Sequence, residues 1–294
     1  MLGERDACIR LGLIGTGIGG SLSPALHEHE AEALGIDCEY ELFDLDELDL
    51  PPEAVGDVLE QAREDGLRGV NVTHPCKQLA VAHVDELSRE AAALGAVNTI
   101  VFERDRIAGH NTDWPGFAEG FRRGLPGASL REVVLLGAGG AGSAAAHAAL
   151  ELGAERLHVV DADPSRSAEL VADLGHRRAA LATKTDLPRL LRHADGLIHA
   201  TPTGMAEHPG MALDAELLHD ALWVAEVVYR PLETPLVRAA RERGCRTLDG
   251  GRMAVFQAVH AFELFTGAAP DPERMLEHFG ELVAAEEGAS WRRA

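Results

Sequence analysis

Residues 132–142 read EVVLLGAGGAG, a short apolar run that leads directly into a glycine-rich turn. An alanine-rich segment follows as far as Leu152, and Gly153 is a typical helix stop. A short apolar run bounded by turn residues indicates a buried strand. The stretch therefore predicts a strand, a tight turn and a helix, which together open a parallel βαβ unit.

Further strand and helix signals surround this unit. Downstream, Asp163 and Pro164 predict the N-cap and first turn of a helix that ends near Gly175. Apolar runs at 157–161, 196–200 and 222–228 predict three more buried strands. Upstream, we predict strands at 10–14, 38–43 and 67–72, and helices from Ser23 to about Gly35 and at 55–65.

Alternating strands and helices place the chain in the α/β fold class. We predict an N-terminal α/β substrate-binding domain at 1–113, with helices at 251–294 packing back on it. A doubly wound Rossmann domain that binds a dinucleotide is predicted at 114–250. We expect the ligand cleft to lie between the two domains, a usual place for small-molecule sites.

The composition excludes several classes of protein. A hydrophobic fraction of 46% in 294 residues is ordinary for a globular chain, and no apolar run approaches the roughly 20 residues of a membrane span. A formal net charge of −21 disfavours nucleic acid as a partner. The four cysteines stand far apart, and no secretory signal is recognised, so we expect a reduced, cytoplasmic setting.

No metal site is predicted. Residues 27–30 read HEHE and resemble a metal-binding cluster. On a helix, however, residues two apart point roughly 200° from each other, so His27 and His29 cannot share one ion. We therefore predict a solvated helix face for these residues.

The glycine-rich turn matches the pattern GxGxxG at Gly137, Gly139 and Gly142. Between a strand and a helix, this pattern is typical of a pyrophosphate-binding turn. Asp161 closes the next predicted strand, and a carboxylate there accepts hydrogen bonds from ribose hydroxyls and repels a 2′-phosphate. The pattern favours NAD over NADP, although Arg166 could reach a phosphate.

Lysine is rare in this chain. Of 27 basic residues only Lys77 and Lys184 are lysines, and the rest are arginines. Lysine can lose its proton in a suitable environment, whereas arginine effectively cannot. Lys77 also follows the polar residues Asn71, Thr73 and His74, which makes it the candidate for proton transfer, whereas Lys184 is interpreted as a surface residue.

Several strings carry a family resemblance. SLSP, NVTHPCK, GAVNT, NTD, GAGGAG and DGGRMAVFQ occur in the order in which they are found in the shikimate and quinate dehydrogenases. The chain most resembles the NAD-using shikimate/quinate branch, at ATPTGMAEHPG and at residues 226–231. Two residues depart from the family pattern: Cys76 stands where many relatives carry a large aromatic side chain, and Trp114 where they often carry glycine.

The resemblance implies roles for individual residues. It implies that Lys77 and Asp113 form the catalytic pair. The residues implied to bind the substrate are Ser21, Ser23, Thr73, Asn98, Tyr229 and Gln257. Those implied to bind the cofactor are Gly137, Ala138, Gly139, Gly140, Ala141, Asp161, Arg166, Thr201 and Gly251.

The reaction implied is the reversible, NAD-dependent oxidation of shikimate to 3-dehydroshikimate. Its partner would be a small polyhydroxy cyclohexane or cyclohexene carboxylate, and a homo-oligomer is left open. Three alternatives remain: dual activity on quinate and shikimate, a related dehydrogenase of a modified cyclohexane acid, and a catalytically silent NAD-sensing regulator. The Lys77–Asp113 pair argues against the regulator, which needs no proton shuttle.

Overall fold

The computed structural model describes residues 8–175 and 177–290, and side chains are described up to residue 286. The chain divides into two compact units. The first comprises the described residues up to Thr112 together with those from Ala258 onward, and the second comprises Asp113–Gln257. None of the helices in the described ranges is long and apolar enough to cross a membrane.

The first unit contains a mixed sheet with the strand order β2-β1-β3-β5-β6-β4. Its strands are β1 (Ile9–Gly15), β2 (Cys38–Asp44), β3 (Gly69–Val72), β4 (Glu86–Leu87), β5 (Thr99–Phe102) and β6 (Ile107–His110). Its helices are α1 (Ser23–Ala33), α2 (Val55–Glu64), α3 (Arg89–Leu94) and α10 (Pro272–Ser290). Strands β1, β2 and β3 are parallel, whereas β5 runs antiparallel to β3 and β6.

The second unit contains a parallel sheet with the order β12-β11-β10-β7-β8-β9. Its strands are β7 (Glu132–Leu136), β8 (Arg156–Val160), β9 (Ala179–Leu181), β10 (Gly196–His199), β11 (Trp223–Glu226) and β12 (Arg246–Leu248). Its helices are α4 (Asp113–Gly124), α5 (Gly140–Glu151), α6 (Pro164–Leu174), α7 (Leu187–Leu191) and α8 (Pro235–Glu242). The predicted doubly wound sheet is confirmed, and the order of the strands reverses between β7 and β10.

Local signals account for several element boundaries. The Asp163 side chain accepts a hydrogen bond from the amide of Ser165 and caps α6, which Gly175 ends in a left-handed conformation. The strand predicted at 222–228 ends earlier, at Glu226. The Val227 amide still donates to the backbone oxygen of His199 at 2.9 Å, and the amides of Val227 and Val228 both donate to the Glu226 carboxylate.

Helix α9 (Gly250–Thr266) explains why the second unit begins at Asp113 and includes residues 251–257, unlike the predicted ranges. A Cβ added to Gly116 would lie 2.7 Å from the backbone nitrogen of Gln257. One added to Gly120 would lie 3.3 Å from Cβ of Arg252. The glycines of α4 thus let the first turns of α9 approach it closely.

The prediction of a solvated face at residues 27–30 is wrong for His27 and Glu30, whereas His29 is exposed. His27 and Glu30 are both fully buried. The ring of His27 packs among aromatic rings, and the Glu30 carboxylate accepts hydrogen bonds from Nε and Nη2 of Arg274 on α10. Helix α1 contacts both β2 and α10, whereas His29, Glu32 and Ala33 remain exposed.

Candidate functional site

The first unit contains a buried polar network centred on Asn98, which immediately precedes β5. Its side-chain oxygen accepts hydrogen bonds from the amide of Thr112 at 2.8 Å and the hydroxyl of Thr99 at 3.0 Å. Its side-chain nitrogen donates to the Thr112 hydroxyl at 3.0 Å. All three residues are at most 3% exposed. The network therefore fixes the end of β6 and the chain that leads into Asp113.

A second set of bonds extends this network toward α1. The Nδ2 of Asn71 donates to the backbone oxygen of Asn98 and to Oγ1 of Thr99, and its Oδ1 accepts from the hydroxyl of Tyr40 at 2.8 Å. Burial raises the pKa of Tyr40, and a hydrogen bond from Ser23 acts in the opposite direction. A continuous chain of polar contacts thus links Ser23 to Thr112 inside the first unit.

Ser21 and Ser23 lie at the start of α1, as their sequence indicates. Helix α1 begins at Ser23, and the Ser21 hydroxyl accepts a hydrogen bond from the Ser23 amide at 3.2 Å. The Ser23 hydroxyl therefore does not act as the N-cap and is instead directed at Tyr40.

Thr73 and Lys77 follow β3 and are half-buried. A Cβ on Gly15 would lie 2.5 Å from Cγ2 of Thr73, so only glycine admits Thr73 there. The backbone oxygen of Lys77 accepts the amide of Val97 at 2.8 Å, which anchors the lysine next to the Asn98 network. Burial raises the pKa of the neighbouring Cys76 thiol, which is therefore not an activated nucleophile.

In the second unit, the glycine-rich turn is shaped to receive a ligand. Gly137 has φ 100°, and its Cβ would lie 2.6 Å from backbone atoms of Ala200. A Cβ on Gly142 would lie 2.0 Å from the oxygen of Gly137, so both positions require glycine. Gly139 and Gly140 would instead place a Cβ in open space. With the first-turn amides of α5 exposed beside it, this cradle fits a dinucleotide pyrophosphate.

Asp161 lies directly after β8 and closes the other side of the turn. Its Oδ2 accepts a hydrogen bond from the amide of Ala138 at 2.7 Å, and its Oδ1 accepts the amide of Asp163 at 2.9 Å. The carboxylate thereby ties the glycine turn to the start of α6. Arg166 lies exposed in the first turn of that helix.

The remaining predicted residues belong to the second unit. Asp113 is the first residue of α4 and is 8% exposed, and Tyr229 lies beyond β11 and is 41% exposed. Gly251 and Gln257 lie on α9, and Thr201 follows β10. The structure therefore groups the predicted residues into two sets, one within each unit.

Two buried residues at the ends of β10 and β11 were not predicted from the sequence to be functional. His199 and Glu226 are the last residues of β10 and β11, and their fully buried side chains are hydrogen-bonded to each other. Each is a polar residue inside an otherwise apolar run, at 196–200 and 222–228, and this is the signal that could have identified them.

Comparison with known proteins agrees with this architecture. Residues 13–100 match the family model described as shikimate dehydrogenase substrate binding domain, and residues 120–216 match alanine dehydrogenase/PNT, C-terminal domain. A shikimate dehydrogenase (NADP(+)) of Streptomyces avermitilis is 61% identical over 93% of this chain and 95% of the relative. A quinate/shikimate dehydrogenase (NAD(+)) of Corynebacterium efficiens is 46% identical over 93% of this chain and 98% of the relative.

A solved structure resembles the chain along most of its length. Quinate dehydrogenase from Corynebacterium glutamicum in complex with NAD superimposes with a TM-score of 0.88 and 42% identity, over 94% of this chain and 100% of that one. A substrate-binding unit combined with a parallel sheet and a dinucleotide turn defines an oxidoreductase that uses a pyridine nucleotide. The chain belongs to the shikimate/quinate dehydrogenase family, which confirms the resemblance read from its motifs.

Proposed function

We propose that this protein catalyses the reversible, NAD-dependent oxidation of shikimate to 3-dehydroshikimate, with Lys77 and Asp113 as its catalytic pair. The observation that carries the proposal is the buried network around Asn98. It joins the backbone at Lys77 to Thr112 through Val97 and Asn98, and Asp113 is the next residue along the chain. Buried amides and hydroxyls that are hydrogen-bonded to one another hold the residues of their segment in fixed positions.

The chemistry of the side chains agrees with this reaction. When bound, the nicotinamide ring supplies the acceptor for the hydride of the carbinol carbon. The hydroxyl proton leaves in the same reaction and needs an acceptor within hydrogen-bond reach. Lys77 serves as that proton shuttle, since an amine, unlike a guanidinium, exchanges protons. Ser21, Ser23, Thr73, Asn98, Tyr229 and Gln257 are proposed to bind the substrate's hydroxyl and carboxylate oxygens.

NAD is proposed over NADP because two carboxylates stand at the end of β8. Asp161 bonds to the glycine turn, in the position that contacts the adenosine ribose in dinucleotide folds. Hydrogen bonds from Ser165 lower the pKa of Asp163, which therefore adds a second negative charge nearby. A 2′-phosphate would be repelled by both carboxylates, whereas free ribose hydroxyls can donate to Asp161.

Arg166 is the residue that could favour NADP. It lies three residues after Asp163 in the first turn of α6, and its charge contributes to the lowered pKa of that carboxyl group. The similar proteins are named for different cofactors, NADP in one case and NAD in the other, so the cofactor is proposed from Asp161 and Asp163.

Dual activity on quinate is the second candidate. It is favoured by the likeness to proteins named as quinate/shikimate and quinate dehydrogenases. Ser23 is the residue that favours shikimate, because quinate-using relatives sometimes carry threonine at that position. Steady-state kinetics with shikimate and with quinate, each measured with NAD and with NADP, decide between the two candidates. Absence of turnover with every combination of substrate and cofactor would contradict both.

The catalytic assignment is tested with the two lysines of the chain. Lys77→Ala should lower kcat by about 10²–10⁴-fold, the usual contribution of a positioned proton-transfer group, and leave the Kd for NAD unchanged. Lys184→Ala is the matched control, since Lys184 is exposed at the start of a short 3₁₀ turn. Near-normal turnover in Lys77→Ala would remove this residue from the mechanism.

The cofactor assignment is tested by removing the negative charges of Asp161 and Asp163 while keeping the size of each side chain. Asp161→Asn retains an acceptor oxygen for the Ala138 amide but removes the charge, so the ratio of kcat/KM with NADP to that with NAD should rise. Adding Asp163→Asn should raise it further. Asp173→Asn removes an exposed carboxylate from the last turn of the same helix and serves as the control. An unchanged ratio in the double variant would refute the role of both carboxylates.

A further inference from the structure

The second unit contains a buried histidine–glutamate pair at the carboxyl ends of two neighbouring strands. His199 and Glu226 are register partners on β10 and β11, and both side chains are fully buried. The Nδ1 of His199 lies 2.8 Å and 3.0 Å from the two carboxylate oxygens of Glu226. Such a pair costs desolvation energy, and apolar residues of similar volume would stabilise a core at least as well. Its presence therefore calls for a role other than stability.

Glu226 is saturated with hydrogen bonds. Besides His199, its carboxylate accepts the amides of Val227 and Val228 at 3.0 Å and the hydroxyl of Thr234 at 2.9 Å. A carboxylate that accepts so many donors is the acceptor for His199 as well, so Nδ1 carries a proton. This fixes the orientation of the imidazole ring and directs Nε2 away from Glu226.

The network ends on a hydroxyl that is only half-buried. Nε2 of His199 lies 2.6 Å from Oγ1 of Thr201, and the amide of Thr203 donates to the same oxygen at 3.3 Å. In the neutral imidazole, Nε2 accepts the hydroxyl proton of Thr201. The threonine oxygen then keeps a lone pair for an outside donor, such as a carboxamide N–H or a ribose hydroxyl.

Thr201 stands beside the dinucleotide turn. A Cβ on Gly137 would lie 2.6 Å from the carbonyl atoms of Ala200 and 2.9 Å from the nitrogen of Thr201. Strands β7 and β10 flank the point at which the strand order reverses. In open parallel sheets, ligands bind outside the carboxyl ends of the strands at this point. Asp161, directly after β8, is the proposed contact of the adenosine ribose, so the β10 side is left for the nicotinamide half.

We propose that His199 and Glu226 are positioning residues for the nicotinamide half of the bound dinucleotide, and that Thr201 is the hydroxyl they present to it. The proposal rests on the proposed function, since it assumes that the turn at Gly137 binds a pyridine dinucleotide. Neither member of the pair touches the ligand. Each acts by holding Thr201 and the turn at 227–228.

The test compares equilibrium binding of NAD with that of ADP-ribose, which has the same adenosine and pyrophosphate but no nicotinamide. His199→Leu should weaken NAD binding about tenfold, the equivalent of one well-placed hydrogen bond, and leave the affinity for ADP-ribose within about twofold. Thr201→Val should show the same selective loss, and Thr201→Ser should restore it. Adding Thr201→Val to His199→Leu should cause no further loss.

His158→Leu is the matched control. His158 on β8 also pairs with a glutamate, Glu132 at 2.8 Å, but Glu132 opens β7 at the opposite end of that strand from the glycine turn. This variant should bind both ligands normally. If His199→Leu does not fold, Glu226→Gln, which keeps the size of the side chain, is measured in its place.

The outcomes distinguish a failure of this proposal from a failure of the proposed function. Equal weakening of NAD and ADP-ribose would show that the pair only supports the fold, and unchanged binding of both would show that it positions nothing. Either result would overturn the proposal and leave the function intact. A wild-type protein that binds neither ligand would overturn both.

Discussion

His27 offers a sharp test of how burial couples pH to stability in the first unit. Its imidazole is fully buried on α1, with ring centroids 5.1 Å from Tyr40 and 6.0 Å from both Phe262 and Phe265. Within the described part of the chain, neither ring nitrogen has a hydrogen-bond partner. Burial lowers the pKa of His27 from 6.5 to about 4.

The sign and size of the effect follow from this pKa. As the pH falls below 6.5, the unfolded chain binds a proton at His27 while the folded chain does not, so the folded state loses stability. Above pH 6.5 the residue contributes nothing to the pH dependence. The separation of the two pKa values, at 1.36 kcal/mol per pH unit, gives a total loss of about 3 kcal/mol below pH 4, of which about 2 kcal/mol is reached at pH 5.

The perturbation is to replace His27 with phenylalanine or leucine, which cannot titrate. Both variants should be at least as stable as wild type at pH 8, because two buried nitrogens without partners are removed. At pH 5 each should exceed the wild type by about 2 kcal/mol more than at pH 8. Urea unfolding followed by far-ultraviolet circular dichroism at several pH values measures this difference.

The difference between variant and wild type isolates His27 from the other titratable groups of the chain. His193→Leu is the control, since it removes an exposed imidazole in the second unit. If the stability difference between His27→Phe and wild type is the same at pH 5 and pH 8, the buried ring does not titrate as described. An equally large change between pH 5 and pH 8 in the stability difference between His193→Leu and wild type would likewise refute the reasoning.

Two further predictions concern the same unit. Tyr40→Phe leaves Oδ1 of Asn71 buried without its donor, which should lower the free energy of unfolding by about 1–3 kcal/mol. It should also raise KM for shikimate severalfold and leave the affinity for NAD unchanged. Urea unfolding measures the first effect, and steady-state kinetics measure the second. Arg274→Met leaves the buried Glu30 carboxylate without its charged partner, so the melting temperature should fall by several degrees, and Arg274→Lys should restore part of it.

The fold was predictable from sequence wherever its signals were local. The turn at Gly137 combines a strand, a glycine pattern and a helix within a short stretch, and the parallel sheet of the second unit is confirmed around it. The N-cap at Asp163 and the stop at Gly175 are likewise local and are confirmed. The antiparallel pair β5 and β6 was not predicted, because each strand is only 4 residues long and Asn98 and Thr99 resemble turn residues.

Contacts between residues far apart in the sequence account for the features that could not be predicted. The HEHE segment was interpreted as solvated, yet Glu30 pairs with Arg274, which lies 244 residues further along the chain. The aromatic rings beside His27 come partly from Phe262 and Phe265 on α9. Helical periodicity identifies a face but does not reveal that a second helix covers the other side. Composition indicated Lys77, and the family resemblance implied its pairing with Asp113, whereas the Asn98 network that anchors their segments required the structure.

Glu30 and Glu226, two of the buried carboxylates among the described residues, show how such pairs can be told apart. Glu30 and Glu226 are both buried, and each is paired with a cationic or titratable side chain and with backbone amides. The bonds of Glu30 go to Asp271 and Arg274 at the start of α10, so they fasten the last described helix to α1. The bonds of Glu226 lead outward through His199 to Thr201, beside the dinucleotide turn. Both pairs are buried, so burial does not distinguish them. The partner at which the hydrogen bonds of a buried carboxylate end distinguishes a pair that holds the fold together from one that positions a ligand.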